Sequence, residues 1–175
     1  ATFVHPAADP RVAAGQGTIG LEILEELPTV REVVVPVGGG GLIAGIGTVM
    51  KAMGGVRVVG VQSERTRAMH AALAAGHPVE VDHGETLADG LAGGIEARGL
   101  AWVRQVADAV ELVTESSIAE AIHGLYRHEG VVAEGAGATP AAFLETVGPS
   151  TEGPVVLVGS GGKLDADRLR EILAE

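Results

Sequence analysis

The apolar positions change period several times along the chain, and each change marks the border between a helix and a strand. Asp9-Pro10 pairs an N-cap residue with a proline in the first helical turn, and Ile19, Leu21, Ile23, Leu24 and Leu27 form a stripe that stops at Pro28. This predicts a first helix with a break near Gly15-Gln16-Gly17. The apolar run over 32–37 predicts a buried strand, 42–53 a helix with small residues on one face, and 56–61 a second buried strand. Helical spacing returns over 63–75. From 76 to 94 the periodicity fails and Gly, His, Pro and Asp predominate, which predicts a long connection over the surface or along a site. Beyond it come a helix over 100–106 and a strand over 109–113. Thr114 caps a helix from 115 to about 128 whose buried face is Ile118, Ile122 and Leu125. Val131-Val132, a helix over 139–147, a strand over 154–159 and a last helix over 165–173 complete the series.

Strands alternating with helices of this length call for an α/β fold, a parallel Rossmann-like sheet with helices on both faces. With 175 residues, no internal repeat and no low-complexity linker, residues 1–175 are expected to form a single α/β domain. Composition refines the picture of the core. Hydrophobic residues make up 46% of the chain but include only two Phe, one Trp and one Tyr, so the interior must be aliphatic, as a β-branched parallel sheet requires.

A net charge of −11 repels phosphate backbones and anionic lipid, which argues against nucleic acid or a membrane surface as the main partner. The absence of cysteine excludes disulfides and thiolate metal sites and is compatible with a reducing, cytoplasmic setting. No apolar run reaches the roughly 18 residues of a membrane span, and residues 1–6 do not read as a signal peptide. The chain begins without Met and enters structure at once, as a piece of a longer protein would.

The candidate chemistry lies in two glycine-rich turns. The stretch PVGGGGLIAG, residues 36–45, follows a strand and opens a helix. Glycine weakens a regular element by about 0.5–1 kcal/mol relative to alanine, so four in succession form a loop shaped for close approach to its backbone. Such a loop aims several N–H groups and the positive end of a helix at one spot, where an anion, above all a phosphate, is held. It is not a Walker A motif, because no Gly-Lys-Ser/Thr follows. It does satisfy G-x-G-x-x-A with Gly39, Gly41 and Ala44, and Glu64 lies past the next strand where a ribose-binding acid would stand, so an NAD(P)-dependent oxidoreductase is an alternative. The second turn, VGSGGK over 158–163, offers the hydroxyl of Ser160. Val158 stands where a nucleophile elbow needs glycine, so Ser160 reads as a hydrogen-bonding group rather than a nucleophile. In a parallel sheet both turns fall at the carboxyl ends of strands, where ligands bind.

FVHPAADPRVAAGQGTIGLEILEELP, PVGGGGLIAG, TLADGLAGG, VVAEGAGATPAAFL and VLVGSGGKLD, in this order, resemble the threonine dehydratase and serine racemase group of pyridoxal-phosphate enzymes, the type II fold. The resemblance runs from end to end of the chain but covers only the later half of a typical member. It implies that Gly38, Gly39, Gly40 and Gly41, with the N–H of Leu42, cradle the phosphate of the cofactor, pyridoxal phosphate. It implies that Ser160, with Gly161 beside it, meets the pyridine nitrogen, and that Gly90 and Glu134 line the pocket. A neutral hydroxyl at the ring nitrogen weakens the electron sink, which in this family goes with β-elimination and racemisation rather than transamination. The implied reaction is dehydration and deamination, or racemisation, of serine or threonine. The implied partners are a small amino-acid substrate, the remaining N-terminal portion of the enzyme and, once complete, further copies of it.

The departures from the family pattern bear on chemistry. The Schiff-base lysine of members stands in a Ser-x-Lys-x-Arg-like motif in an N-terminal portion to which nothing here corresponds, so this chain alone is expected to be inactive. Lys51 lies roughly 15 Å along its helix from the loop, at about 1.5 Å per residue, and cannot reach the reacting carbon. Lys163 stands where many members have Asn and reads as a solvated surface lysine. His5-Pro6 is followed by Ala7 where relatives carry a larger residue, and position 93 is glycine where some racemases have serine. Glu64 matches an acidic residue that binds a divalent cation in some relatives, but the companion acid is replaced by His70, so no metal is assigned. His77, Glu80, Asp82 and His83 read as a polar loop, since their spacing is not that of a metal site. His123 and His128, five apart, do not share a helix face, and Asp108 and Glu111 read as solvated charges. A non-catalytic binding module of the same ancestry is the third alternative.

Overall fold

All five residues of strand β1, Glu32–Pro36, are buried, and so are six of the seven in β2, Arg57–Ser63. A strand covered on both faces has no polar side to alternate with, which is why these segments read as continuous apolar runs. The computed structural model that shows this describes residue 2 and residues 4–174; Ala1, Glu175 and Phe3 of the first motif lie outside them. Strands β1 and β2 are joined by β3, Ala109–Val113, and β4, Val155–Leu157, in a parallel sheet of order β3-β2-β1-β4. Register pairs Val34 with Val59 on one side and with Leu157 on the other.

The period-2 alternation of β1 divides the core into two. Val33 and Val35 face Ile43, Ile46 and Met50 of α2 (Gly41–Met53), Met69 of α3 (Ala68–Ala75) and Val103 of α4 (Ala97–Val106). Val34 faces the other way, toward Ile118 and Ile122 of α5 (Glu115–Gly124), Phe143 of α6 (Gly135–Thr146) and Ile172 of α7 (Ala166–Ala174). Among the twelve largest fully buried side chains Phe143 is the sole aromatic, so the interior is aliphatic as composition requires.

Helix α1, Pro10–Glu26, runs without the break expected near Gly15–Gly17. Gly17 and, a turn further on, Gly20 serve packing instead. A Cβ on Gly20 would lie 2.9 Å from the Cβ of Val49, and one on Gly45 of α2 would lie 2.6 Å from Gly17 N, so the two helices cross backbone to backbone. Asp9 caps α1 by accepting from Arg11 N at 2.8 Å, with Pro10 in the first turn. Leu21 is off the buried stripe and 53% exposed, because two residues along a helix turn it away from the face of Ile19 and Ile23.

Other borders shift for identifiable reasons. The expected strand over 56–61 extends to Ser63, and the helix expected from 63 begins at Ala68. Between them the buried Gln62 side chain donates to Val37 O and Thr66 O and accepts from His70 N, holding a turn that helical spacing does not reveal. The helix expected over 115–128 is α-helical to Gly124 and continues as a π turn, Leu125–Glu129. Helix α6 starts at Gly135 rather than 139, with Pro140 inside it. Proline cannot donate to the carbonyl four residues back, and here the Thr139 hydroxyl donates to Ala136 O at 2.9 Å in its place. Val131-Val132 is exposed and forms no element, and the last strand is only Val155–Leu157.

Asp108 is not a merely solvated charge. It accepts from Val58 N at 2.8 Å and from Lys51 Nζ at 2.6 Å, tying the end of α2 to the starts of β2 and β3. Burial opposes its charged form, but the hydrogen bonds from Lys51 and Val58 prevail and hold its carboxyl below the usual range.

Candidate functional site

The sheet order fixes where a ligand can enter. From β1 the chain crosses to β2 on one side, while β4 lies on the other, so the β1/β4 border is where connections diverge, the place at the carboxyl ends of the strands where open α/β sheets bind ligands. Gly38–Gly41 follow β1 and Gly159–Gly162 follow β4. The pairing of Val34 with Leu157, and the Val158 N–H donating to Val34 O at 2.9 Å, bring the two turns side by side.

Gly40 is the N-cap of α2 with φ 94°, a left-handed conformation, and no side chain caps this helix. The first-turn N–H groups of a helix have no acceptor within it, so those of Gly41, Leu42 and Ile43 are aimed out of its N-terminus. The other flank of the loop is closed by protein. A Cβ on Gly39 would lie 2.5 Å from the Ala7 methyl, one on Gly41 3.0 Å from Ala7 O, and one on Gly40 2.9 Å from Val103 Cγ2. His5 holds Ala7 there, its Nδ1 accepting from Ala7 N at 3.1 Å and from Ala8 N at 2.9 Å. The His-Pro motif therefore carries a packing role that its sequence does not declare.

Gly90 lies in a 3-10 turn, Asp89–Leu91, pressed between two other candidates. On one side a Cβ added to it would lie 3.3 Å from Glu134 Oε1; on the other, Gly38 faces Leu91 Cα and Gly90 O. Glu134 is the junction. It is the N-cap of α6, its N–H donates to Gly161 O at 3.2 Å, and its Oε2 accepts from Lys163 N at 3.1 Å. Gly161 has φ 105°, and any side chain on it would strike the Glu134 carboxylate. Gly38, Gly90, Glu134 and Gly161 thus form one contiguous wall. Ser160 is half-buried beside it, with its carbonyl packed against Gly137. Gly90, Glu134 and Lys163 also border an open cavity of about 490 Å³.

The other residues weighed in the sequence lie elsewhere. Lys51 is at the far end of α2, engaged with Asp108. His77 and His83 each bond to the carbonyl of the next residue in an exposed loop. Glu64 and His70 are exposed beyond β2, and among the described residues no group of three or more His, Asp or Glu could hold a metal ion. Glu115, read only as the start of a helix, reaches across to Thr86 and Leu87 beside Gly90. An acid just after an N-cap that does not need it was the signal available for it.

The fold and this arrangement of turns define the class: it is the α/β architecture of type II pyridoxal-phosphate enzymes. The family model described as "Pyridoxal-phosphate dependent enzyme" matches residues 1–161, and the chain belongs to that family. The chain is 45% identical over 177 residues to L-threonine ammonia-lyase of Thermotoga maritima, a match covering 99% of the chain and 44% of the relative. It is 41% identical to the catabolic L-threonine dehydratase TdcB of Escherichia coli K12, covering 97% of the chain and 53% of the relative. Among solved structures, a threonine deaminase from T.th. superposes with TM-score 0.87 at 34% identity, covering 93% of the chain and 55% of its own. Maize serine racemase superposes with TM-score 0.90 at 28% identity, covering 99% and 55%. The chain spans about half the length of these relatives. Membership selects pyridoxal phosphate as cofactor over the dinucleotide alternative built on Gly39, Gly41, Ala44 and Glu64.

Proposed function

We propose that this chain is the later portion of the cofactor-binding large domain of a pyridoxal-phosphate-dependent deaminase that removes water and ammonia from a hydroxy amino acid, threonine or serine. The observation that carries the proposal is the uncapped N-terminus of α2, opened by left-handed Gly40, at the point where the sheet's connections diverge. Deamination is favoured over racemisation because the curated relatives at 45% and 41% identity are named threonine ammonia-lyase and dehydratase.

The residues fit the cofactor. A phosphate suits the N–H groups of Gly39–Leu42, which a side chain at Gly39 or Gly41 would displace from their packing on Ala7. Ser160, at the end of the neighbouring strand, supplies a neutral hydroxyl for the ring nitrogen, while Gly90 and Glu134 form the wall beside it. Pyridoxal phosphate, when bound, draws electrons from the α-carbon of an amino acid so that its β-hydroxyl can leave. This chain's part would be to hold the phosphate at the glycine loop and to present a neutral hydroxyl, Ser160, to the ring nitrogen. The amine that carries the cofactor is not assigned to Lys51, which holds Asp108, nor to Lys163, whose side chain is exposed. That amine would lie in the segment that the longer relatives have and this chain does not match. A second copy is expected in the complete enzyme.

The test is Gly39→Asp in the protein that carries this chain. A side chain at position 39 collides with Ala7 and pushes the loop's N–H groups out of place, which should abolish retention of pyridoxal phosphate through gel filtration, read by visible absorbance, and with it keto-acid release from L-threonine. Unchanged cofactor content would overturn the assignment.

A further inference from the structure

The carboxylate of Glu115 leaves its own helix and joins two other elements. Oε1 accepts from Thr86 Oγ1 at 2.8 Å and from the Ser63 hydroxyl at the end of β2, while Oε2 accepts from Leu87 N at 2.6 Å. Helix α5 does not need it as a cap. Thr114 performs that task by accepting from Ser117 N at 3.1 Å.

The bonds continue toward the site. Thr86 Oγ1 accepts from Ala88 N at 3.1 Å, and Ala88 O accepts from Leu91 N at 2.9 Å, closing the turn that carries Gly90. That turn is the piece packed between Gly38 and the Glu134 carboxylate, with Leu87 O against Gly135 so closely that a Cβ there has no room. The residues before it, 76–88, belong to no helix or strand, so the turn has no regular element on that side to fix its height. Hydrogen bonds to a carboxylate are roughly twice as strong as neutral ones, and three converge here.

We infer that Glu115 is a positioning residue for the cofactor site: its carboxylate holds residues 86–91 at the height where Gly90 and Leu91 close the wall beside the glycine loop. The inference rests on the function proposed above. The Glu115 carboxylate is taken up by Ser63, Thr86 and Leu87. Its effect passes through Thr86 and Leu87, and a helix-stabilising role alone would leave the loop unmoved.

The test uses Glu115→Ala and Glu115→Gln in the protein that carries this chain, with Thr114→Ala as control, since the control weakens α5 without touching the loop. Three quantities are read: hydrogen exchange of peptides over 84–92, the dissociation constant for pyridoxal phosphate, and KM against kcat for L-threonine. Glu115→Ala should speed exchange over 86–91 and weaken cofactor binding by about tenfold each, the size of one lost hydrogen bond to a charged acceptor. KM should rise more than kcat falls. Glu115→Gln should recover part of both, because its amide oxygen still accepts from Leu87 N, and Thr114→Ala should change neither. Exchange at the wild-type rate, or faster exchange with wild-type cofactor affinity and KM, overturns the inference. If Glu115→Ala does not fold, Glu115→Gln decides by the same readouts. A wild-type protein that takes up no pyridoxal phosphate overturns both this inference and the proposed function, whereas normal uptake with an indifferent Glu115→Ala overturns this inference alone.

Discussion

Gly40→Ala separates two reasons for glycine in the loop. The backbone at position 40 has φ 94°, and an added Cβ would meet Val103 Cγ2 at 2.9 Å and Gly99 O at 3.2 Å. Left-handed backbone costs a non-glycine residue about 1–2 kcal/mol, and overpacking a tight spot about 1–3 kcal/mol more, so the variant should lose about 2–5 kcal/mol. The two parts respond differently to a second change. Val103 is fully buried, and Val103→Ala alone should cost about 2 kcal/mol by leaving a cavity. In Gly40→Ala/Val103→Ala the new methyl has room, so the double variant should be less destabilised than the sum of the singles by about 0.5–1.5 kcal/mol, the remainder being backbone strain that Val103 cannot relieve. Urea denaturation without added cofactor, at unchanged m, supplies the cycle. Losses that add to within about 0.3 kcal/mol would refute the packing half of the argument. Full recovery in the double variant would refute the backbone half.

Asp108→Asn should cost about 1 kcal/mol at neutral pH, allowing for a side chain about a third exposed. Its folded-state pKa is depressed, so its contribution is present above the unfolded value of about 4 and is lost as pH falls through the lower folded value; the gap between variant and wild type should therefore narrow below about pH 4 in denaturation series. Thr139→Val should lose about 1–2 kcal/mol by leaving Ala136 O without the donor that Pro140 cannot supply, read as a lowered urea midpoint. Ser160→Ala should keep the cofactor bound but slow turnover; loss of the cofactor, or unchanged turnover, refutes the role given to Ser160. The 175-residue chain alone should release no keto acid from L-threonine, and borohydride reduction with pyridoxal phosphate followed by peptide mapping should give no stoichiometric adduct on Lys163.

The sheet was legible because a parallel strand covered on both faces leaves an unbroken apolar run, as 33–36 and 58–61 do, and because both glycine turns end such runs. What escaped the sequence depends on neighbours far along the chain. Gly15-Gln16-Gly17 read as a helix break because local propensity does not contain the approach of Gly45 to Gly17 from the next helix. The start of α6 four residues before the expected 139 was not legible because the Thr139 hydroxyl that compensates for Pro140 inside the helix is a rotamer, not a pattern. Asp108 read as a solvated charge and Glu115 only as the start of a helix because their partners, 50–57 and 28–52 residues distant, are set by topology.

The run of four glycines poses the sharpest case of the same difficulty. Read as sequence, it demands a close neighbour, and a phosphate is the obvious one. In the structure the closest neighbours of Gly39, Gly40 and Gly41 are Ala7 and Val103, so packing within the protein already requires small residues at all three positions. The two demands act on opposite sides of one loop. A Cβ points to the packed flank, while the N–H groups of the helix start point away from it, and only a chain without side chains can lie flat against Ala7 and still present consecutive donors outward. If the loop binds the phosphate as proposed, the packing serves the binding: an anion site is most effective when its dipoles do not reorganise, and Ala7 on one edge with α4 on the other holds the loop in the shape that its left-handed residue demands. Phosphate affinity should accordingly depend on Ala7 and Val103 as well as on the glycines.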